Sequence, residues 1–242
     1  MTVGNEVVVG TMRAEFDAHA AEYAATHARN IAITGESPEF FHEYKVIDTR
    51  AATARDGFDP SRILDFGAGV GNSIPHFRHR FPAATLTSAD ASPRSLAIAR
   101  ERFPGASETV LVDEDRPLDL PDAHFDLVFS ACVFHHIDHS RHAFWLGELR
   151  RVTRPGGRLF IFEHNPLNPL TVRAVNTCPF DENAVLIGAG ALSRAVAAAG
   201  WARPEIAYRI FFPGALAALR PIERALTWLP LGAQYRLHAR KP

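Results

Sequence analysis

ILDFGAGVGNS (63–73) is a short apolar run that ends in an acid, a phenylalanine and three alternate glycines. A few apolar residues stopping at glycine is how a buried parallel strand reads. Gly67, Gly69 and Gly71 permit a sharp turn and let a ligand lie against bare backbone. A helix expected over Asn72–Arg80 would add partial positive charge at its start. The spacing is D-x-G-x-G-x-G, not the dinucleotide pattern G-x-G-x-x-G. Counted from Gly67, the third dinucleotide glycine would fall at Asn72. A carboxylate at Asp65 would repel a pyrophosphate, yet could accept hydrogen bonds from an ammonium group or water.

Working outward, strands and helices alternate. Strands are expected over 84–90, 109–113, 125–131 and 158–164, with helices over Pro93–Arg102 and Arg141–Thr153 and a turn at 154–157. An Ala-rich helix over 188–200 stops at Gly200. Strands over 205–212 and 233–241 follow, with a helix near 220–227 between them. This alternation implies an α/β fold, a doubly wound and mostly parallel sheet with helices on both faces. Such sheets bind ligands beyond the carboxyl ends of their strands.

Upstream, Phe16, Ala20, Tyr23 and Ala24 share one face of a helix over 11–32. Ser37 caps a second helix with Pro38 in its first turn, running to about Ala54 with Phe41, Tyr44, Ile47 and Ala51 on one side. Residues 55–62 read as a linker. The organisation expected is an N-terminal helical segment over 1–58, without a sheet partner of its own, and a ligand-binding domain over 59–242.

Composition narrows the function classes. The 242 residues are 47% hydrophobic and 22% charged, ordinary for a folded domain. Lys+Arg is 26 against Asp+Glu 27, so no global field favours nucleic acid. Two cysteines exclude a disulfide framework and a Cys-rich zinc site. The His135-His136 pair lacks further ligands at zinc spacing, so no metal is expected. The N-terminus lacks a signal-peptide pattern and no run is long and apolar enough to span a bilayer, which makes the cytoplasm the default location.

Two further elements select a ligand. Asp90, at the end of the second strand, is placed to accept hydrogen bonds from both ribose hydroxyls. The acidic run Asp113-Glu114-Asp115 after the third strand can reach an adenine amino group. An adenosine with a cationic tail and no phosphate suits these positions, which describes S-adenosylmethionine.

ILDFGAGVGNS, Asp90, FDLVFSACVFHHI and ELRRVTRPGGRLFIFEHN together resemble the ordered motifs of class I S-adenosylmethionine-dependent methyltransferases. The similarity is strong over about 60–165. It implies a seven-stranded Rossmann-like sheet with an antiparallel last strand, and transfer of a sulfonium methyl group to a nucleophile. By position, Asp65, Gly67 and Gly69 would hold the methionine part and Asp90 the ribose, with Phe66 and Ala68 in the same cofactor-binding loop. Asp113 or Glu114 would sit near adenine, and Ala91 and Ser130 would line the same pocket. The sequence has DEDRPLDLPD where the family more often has a shorter turn, so the adenine partner is open by a residue.

Candidates for chemistry follow strands four and five. His135 and His136 would stand beside the transferable methyl group as bases or loop-shaping residues. Glu163, His164, Asn165 and Asn168 lie on the next rim, with Glu163 and His164 read as catalytic and the two amides as substrate-binding. Asp181 could bind a polar acceptor or cap a helix, and Cys178 reads as packing. The resemblance implies that the N-terminal helices over 1–58 form a helical lid over cofactor and acceptor, in which Tyr23, Phe40, Phe41 and Tyr44 would line an aromatic enclosure and Lys45 or Arg29 could meet a carboxylate. The apolar segment 211–232 reads as a core helix or dimer contact, or as a peripheral membrane contact. The expected activity is methyl transfer to a small molecule by a monomer or homodimer. A nicotinamide-dependent oxidoreductase and a non-catalytic cofactor-binding module are the alternatives.

Overall fold

The computed structural model describes residues 35–179, 181 and 183–242. Tyr23, Arg29 and the helix expected over 11–32 lie outside the described residues. Ser37 accepts a hydrogen bond from the Phe40 amide and starts α1 (Pro38–Arg55). Then come β1 (Arg62–Phe66), α2 (Ile74–Arg80), β2 (Thr85–Asp90), α3 (Pro93–Arg102), β3 (Glu108–Leu111) and β4 (Phe125–Ala131). The second half holds α4 (His142–Val152), β5 (Thr153–His164), α5 (Pro169–Asn176), α6 (Ala189–Ala198), β6 (Ala202–Arg209) and β7 (Gln234–Arg240).

The seven strands form one sheet in the order β3-β2-β1-β4-β5-β7-β6. All neighbours are parallel except β7, which is antiparallel to both β5 and β6. Strand order reverses between β1 and β4, so a crevice opens at their carboxyl ends.

Alternation along the central strands divides the core between two faces. Leu64, Val128, Leu159 and Ile161 pack with Trp145, Leu146 and Leu149 of α4 and with Leu192 of α6. Ile63, Leu127, Phe129, Phe160 and Phe162 pack on the other face with Val46 of α1 and with Ile74 and Phe77 of α2. Helix α1 therefore covers the sheet directly while its first turns edge the crevice.

Four local readings are corrected. The buried face of α1 is Phe41, Lys45, Val46, Thr49, Ala52 and Thr53, with Ile47 39% exposed and Ala51 exposed. The Arg154–Gly157 turn is an irregularity inside β5: Phe125 pairs with Thr153, then Leu127 with Arg158, and Gly156 takes φ +77°. The helix near 220–227 is instead a 3-10 run over Gly214–Ala225 that contains Pro221. Helix α5 was not expected; the Asn168 side chain caps it by accepting from the Leu170 and Thr171 amides.

No helix among the described residues is long and apolar enough to cross a membrane.

Candidate active site

One cavity at the switch point gathers residues from β1, β2, β4, β5, β7 and α1. Its floor is the glycine loop. The Gly67 and Ala68 amides donate to the Ala89 carbonyl at 2.8 and 3.1 Å, which ties the loop to β2. Asp90 clamps the same loop: one carboxylate oxygen accepts from the Gly69 amide at 2.7 Å and the other from Ser92 at 2.9 Å.

Gly67 and Gly69 adopt φ +79° and +53°. A methyl group on Gly67 would come within 2.2 Å of Val133 Cγ2, so this bend packs tightly against the loop after β4. One on Gly69 would meet nothing within 4 Å, because that glycine faces the cavity.

Asp65, at the end of β1, is 2% exposed, and its Oδ2 is buried without a hydrogen-bond partner. Burial and the neighbouring Asp90 push its carboxyl up to about 7, against the pull of Lys45. An orphaned buried acceptor beside bare glycine backbone suits a cationic ligand group.

The opposite wall follows β4. Cys132 turns the chain at φ +59°, and His135 and His136 sit in a 3-10 turn. Glu163 of β5 lies behind this wall, fully buried. One of its oxygens accepts from the Val133 and Phe134 amides at 3.0 and 2.7 Å; the other meets His135 Nδ1 at 2.6 Å. Asp181 Oδ1 approaches the Nε2 atoms of His135 and His136 at 3.5 and 3.4 Å.

Burial opposes charge on His135, but Glu163 and Asp181 outweigh it and raise the imidazole to about 10. His136 falls to about 3, through burial and then repulsion from His135, and stays neutral. Burial works against ionised Asp181, yet the histidines around it hold its carboxyl below the ordinary range. His164 stands beside His135, ring centres 5.2 Å apart, with Gln234 Nε2 3.4 Å from its Nδ1.

Helix α1 closes the rim with Phe41, His42 and Lys45. Lys45 is only 4% exposed, and its ammonium lies 3.5 Å from Cys132 Sγ. Tyr44 donates to Gln234 Oε1 and packs edge-on against Phe162, ring centres 6.0 Å apart.

Among the described candidates, the structure brings Asp65, Phe66, Gly67, Ala68, Gly69, Asp90, Ala91, Phe41, His135, His136, His164 and Asp181 to the cavity wall. It does not bring Asp113, Glu114, Ser130, Tyr44, Glu163, Asn165 or Asn168 there. Asp113 instead accepts from the Asp115 amide and pairs with Arg116, and Val112 lines the wall in place of the acidic run. Ser130 is fully buried within β4. Glu163 is a positioning group for the histidine loop rather than a base facing the cavity. Asn165 donates to the carbonyls of Pro230 and Gly232, and Asn168 to that of Leu231, so both staple the rim to 230–232. Cys178 lines the cavity.

Cys132, Gln234 and His42 are wall residues that the sequence did not single out. Cys132 had a signal, one position past a strand ending in the crevice; Gln234 reaches the wall only through the antiparallel β7.

Residues 64–161 match the methyltransferase domain family. Over that stretch the chain is similar to methyltransferases. It is 38% identical over 109 residues to a demethylmenaquinone methyltransferase of Thermus thermophilus, covering 44% of this chain and 49% of that protein. It is 36% identical over 140 residues to a trans-aconitate 2-methyltransferase of Methylobacterium nodulans, covering 56% and 51%. The matched region thus spans about half the length of these curated relatives. In fold, a Thermotoga maritima S-adenosylmethionine-dependent methyltransferase superposes with a TM-score of 0.66 at 16% identity, over 96% of this chain and 100% of that one. The match over 64–161 runs against the nicotinamide alternative, as does Asn72 at the third dinucleotide glycine position.

Proposed function

We propose that this chain transfers the methyl group of S-adenosylmethionine to a small-molecule acceptor held at the histidine end of the cavity. The observation that carries the reading is the buried, unpartnered Asp65 Oδ2 beside the glycine loop, with the Asp90 clamp at the loop's far edge. Asp65 suits the amino group of the methionine part, the backbone at Gly67 and Gly69 its close approach, and Asp90 the ribose hydroxyls. Val112 and Ala91 supply apolar wall for the base.

The cofactor, when bound, supplies an electrophilic methyl carbon open to in-line displacement. This chain's residues then have two tasks. The first is alignment, which is worth about 7–11 kcal/mol where it is complete. The loop pinned by Glu163 and the rim held by Asn165 and Asn168 supply it, since their polar groups lock backbone rather than meet ligand. The second is handling the acceptor's proton. His136 and Asp181 face the cavity 3.4 Å apart and mark where that proton leaves. A small acceptor suits the near-neutral chain and the recessed transfer end.

Isothermal titration with S-adenosylmethionine and S-adenosylhomocysteine tests the donor. Micromolar binding of both, with none of NADH, supports the reading; folded protein that retains neither overturns it. A panel of hydroxyl, amine and carboxylate metabolites with radiolabelled donor then separates an enzyme from a non-catalytic module.

A further inference from the structure

We propose that His135, His136 and Asp181 form a binding site for one divalent transition-metal ion at the acceptor end of the cavity, with Glu163 as the positioning carboxylate behind His135. The site stands on its own geometry. Only its use in catalysis rests on the methyltransferase reading.

One donor atom from each of the three residues lies within 4.8 Å of the others. The two His–Asp separations are 3.5 and 3.4 Å. Tetrahedral ligands at about 2.0–2.2 Å from a metal stand roughly 3.3–3.6 Å from each other. An ion at the centre therefore needs little movement of the two His–Asp edges.

A second observation is independent of those distances. His135 Nε2 is buried, its side chain 1% exposed, and it makes no hydrogen bond of good geometry. The other nitrogen of the same ring is held by Glu163 Oε2 at 2.6 Å. A carboxylate on Nδ1 fixes the proton there and turns the Nε2 lone pair outward, the arrangement that orients metal-bound histidines. The Glu163–His135 contact and the orphaned Nε2 thus point to the same place.

Two carboxylates, the buried Glu163 and the half-buried Asp181, flank His135 and demand positive charge between them. A proton on His135 meets that demand, and so does a divalent cation. Two imidazoles and one carboxylate favour an ion of borderline character, such as zinc or cobalt, over magnesium or calcium. All three ligands line the cavity, so remaining coordination positions face the acceptor. There a metal would bind an acceptor oxygen and lower its pKa, easing its attack on the methyl group.

The test uses the full chain dialysed against a chelator, then titrated with Co2+. The expected result is one cobalt per chain with visible absorption bands of a low-coordinate site, displaced by Zn2+. Asp181→Ala is expected to weaken cobalt binding about 100-fold, and Glu163→Gln about 10–100-fold, the range for outer-shell partners. His79→Ala, on the exposed end of α2, controls for surface histidines and is expected to change nothing. Glu163 is buried, so its variant can misfold; Asp181, in a partly exposed segment, keeps the test decisive. Absence of the bands, or bands that persist unweakened in Asp181→Ala, overturns the proposal. S-adenosylhomocysteine titration of the same samples separates the two readings: cobalt without nucleoside binding leaves the metal site standing and removes the donor, and the converse does the opposite.

Discussion

The Asp90 carboxylate at the end of β2 holds the Gly69 amide of the loop after β1, at 2.7 Å. It is therefore a loop clamp before it is a ligand contact. Its second oxygen accepts from Ser92, the N-cap of α3, so one side chain ties together the loop, the strand and the next helix. Replacing it with asparagine puts an amide donor against one of two backbone donors. Hydrogen bonds to charged groups contribute about 1.5–3 kcal/mol each. Asp90→Asn is expected to weaken S-adenosylhomocysteine binding about 10–100-fold and to lower the thermal midpoint by a few degrees. Calorimetric titration and thermal unfolding check both; unchanged affinity would remove Asp90 from the site.

The two glycines before and at that clamp are expected to fail in different ways. Gly67→Ala drives a methyl group into Val133 and strains a backbone at φ +79°, so its loss is in folding stability. Gly69→Ala meets no protein atom and bears only the milder strain of φ +53°, so its loss is in nucleoside affinity with the fold kept. Denaturant midpoints and binding constants of the two variants should move in opposite proportion. Val133→Ala combined with Gly67→Ala should recover part of the stability.

How much of this was legible beforehand depended on where each constraint arises. The alternation of strands, the glycine bend and Asp90 are local patterns, and β4 and α3 fall at Phe125–Ala131 and Pro93–Arg102 as read. Asn165 and Asn168 look like ligand groups in sequence because two amides beside a histidine resemble a polar rim. Their partners at 230–232 are distant in the chain and invisible to spacing. Glu163 is similar: an acid after an apolar strand reads as a base until the amides of Val133 and Phe134 are seen to occupy it. Asp181 joins the two histidines only through the folded rim. Lys45 reads as a partner for a substrate carboxylate, whereas the structure sets it against Cys132, whose only mark in the sequence is its place just past β4.

Asp65 should make stability and binding depend on pH in opposite senses. Its folded pKa, about 7, lies above the ordinary carboxylate value of about 3.9, chiefly through burial, then through Asp90 and against Lys45. Below pH 4 the group is protonated in both folded and unfolded chains and its contribution is fully present. As pH rises from about 4 to about 7 the unfolded chain ionises first, so this group's share of stability is lost across that window. Asp65→Asn is expected to flatten this part of the profile and to be more stable than the parent at pH 8. The ionised carboxylate is the form that attracts an ammonium group, so donor affinity should rise over the same window in the parent and stay low and flat in Asp65→Asn. Thermal midpoints and titrations at pH 5, 6, 7 and 8 test the pair; parallel profiles in the two proteins would refute the assignment.

The Lys45–Cys132 contact carries the last expectation. Burial raises the Cys132 thiol, but the Lys45 ammonium 3.5 Å away and the nearby His164 outweigh it and bring the thiol down to about 7. A substantial fraction is then thiolate at neutral pH, and the sulfur lies on the cavity wall. Cys132 should react with iodoacetamide faster than Cys178 at pH 7, and bound S-adenosylhomocysteine should protect it. Lys45→Met removes the nearest cation and returns the thiol to or above its ordinary value near 8.5, so the thiolate fraction at pH 7, and labelling with it, should fall by about 15-fold or more. At pH 9 the difference between the two proteins should shrink, because the thiolate fraction then rises in both. Peptide mass spectrometry over a time course reads the two cysteines separately. Equal labelling of Cys132 in parent and variant at pH 7 would show that Lys45 does not set its charge.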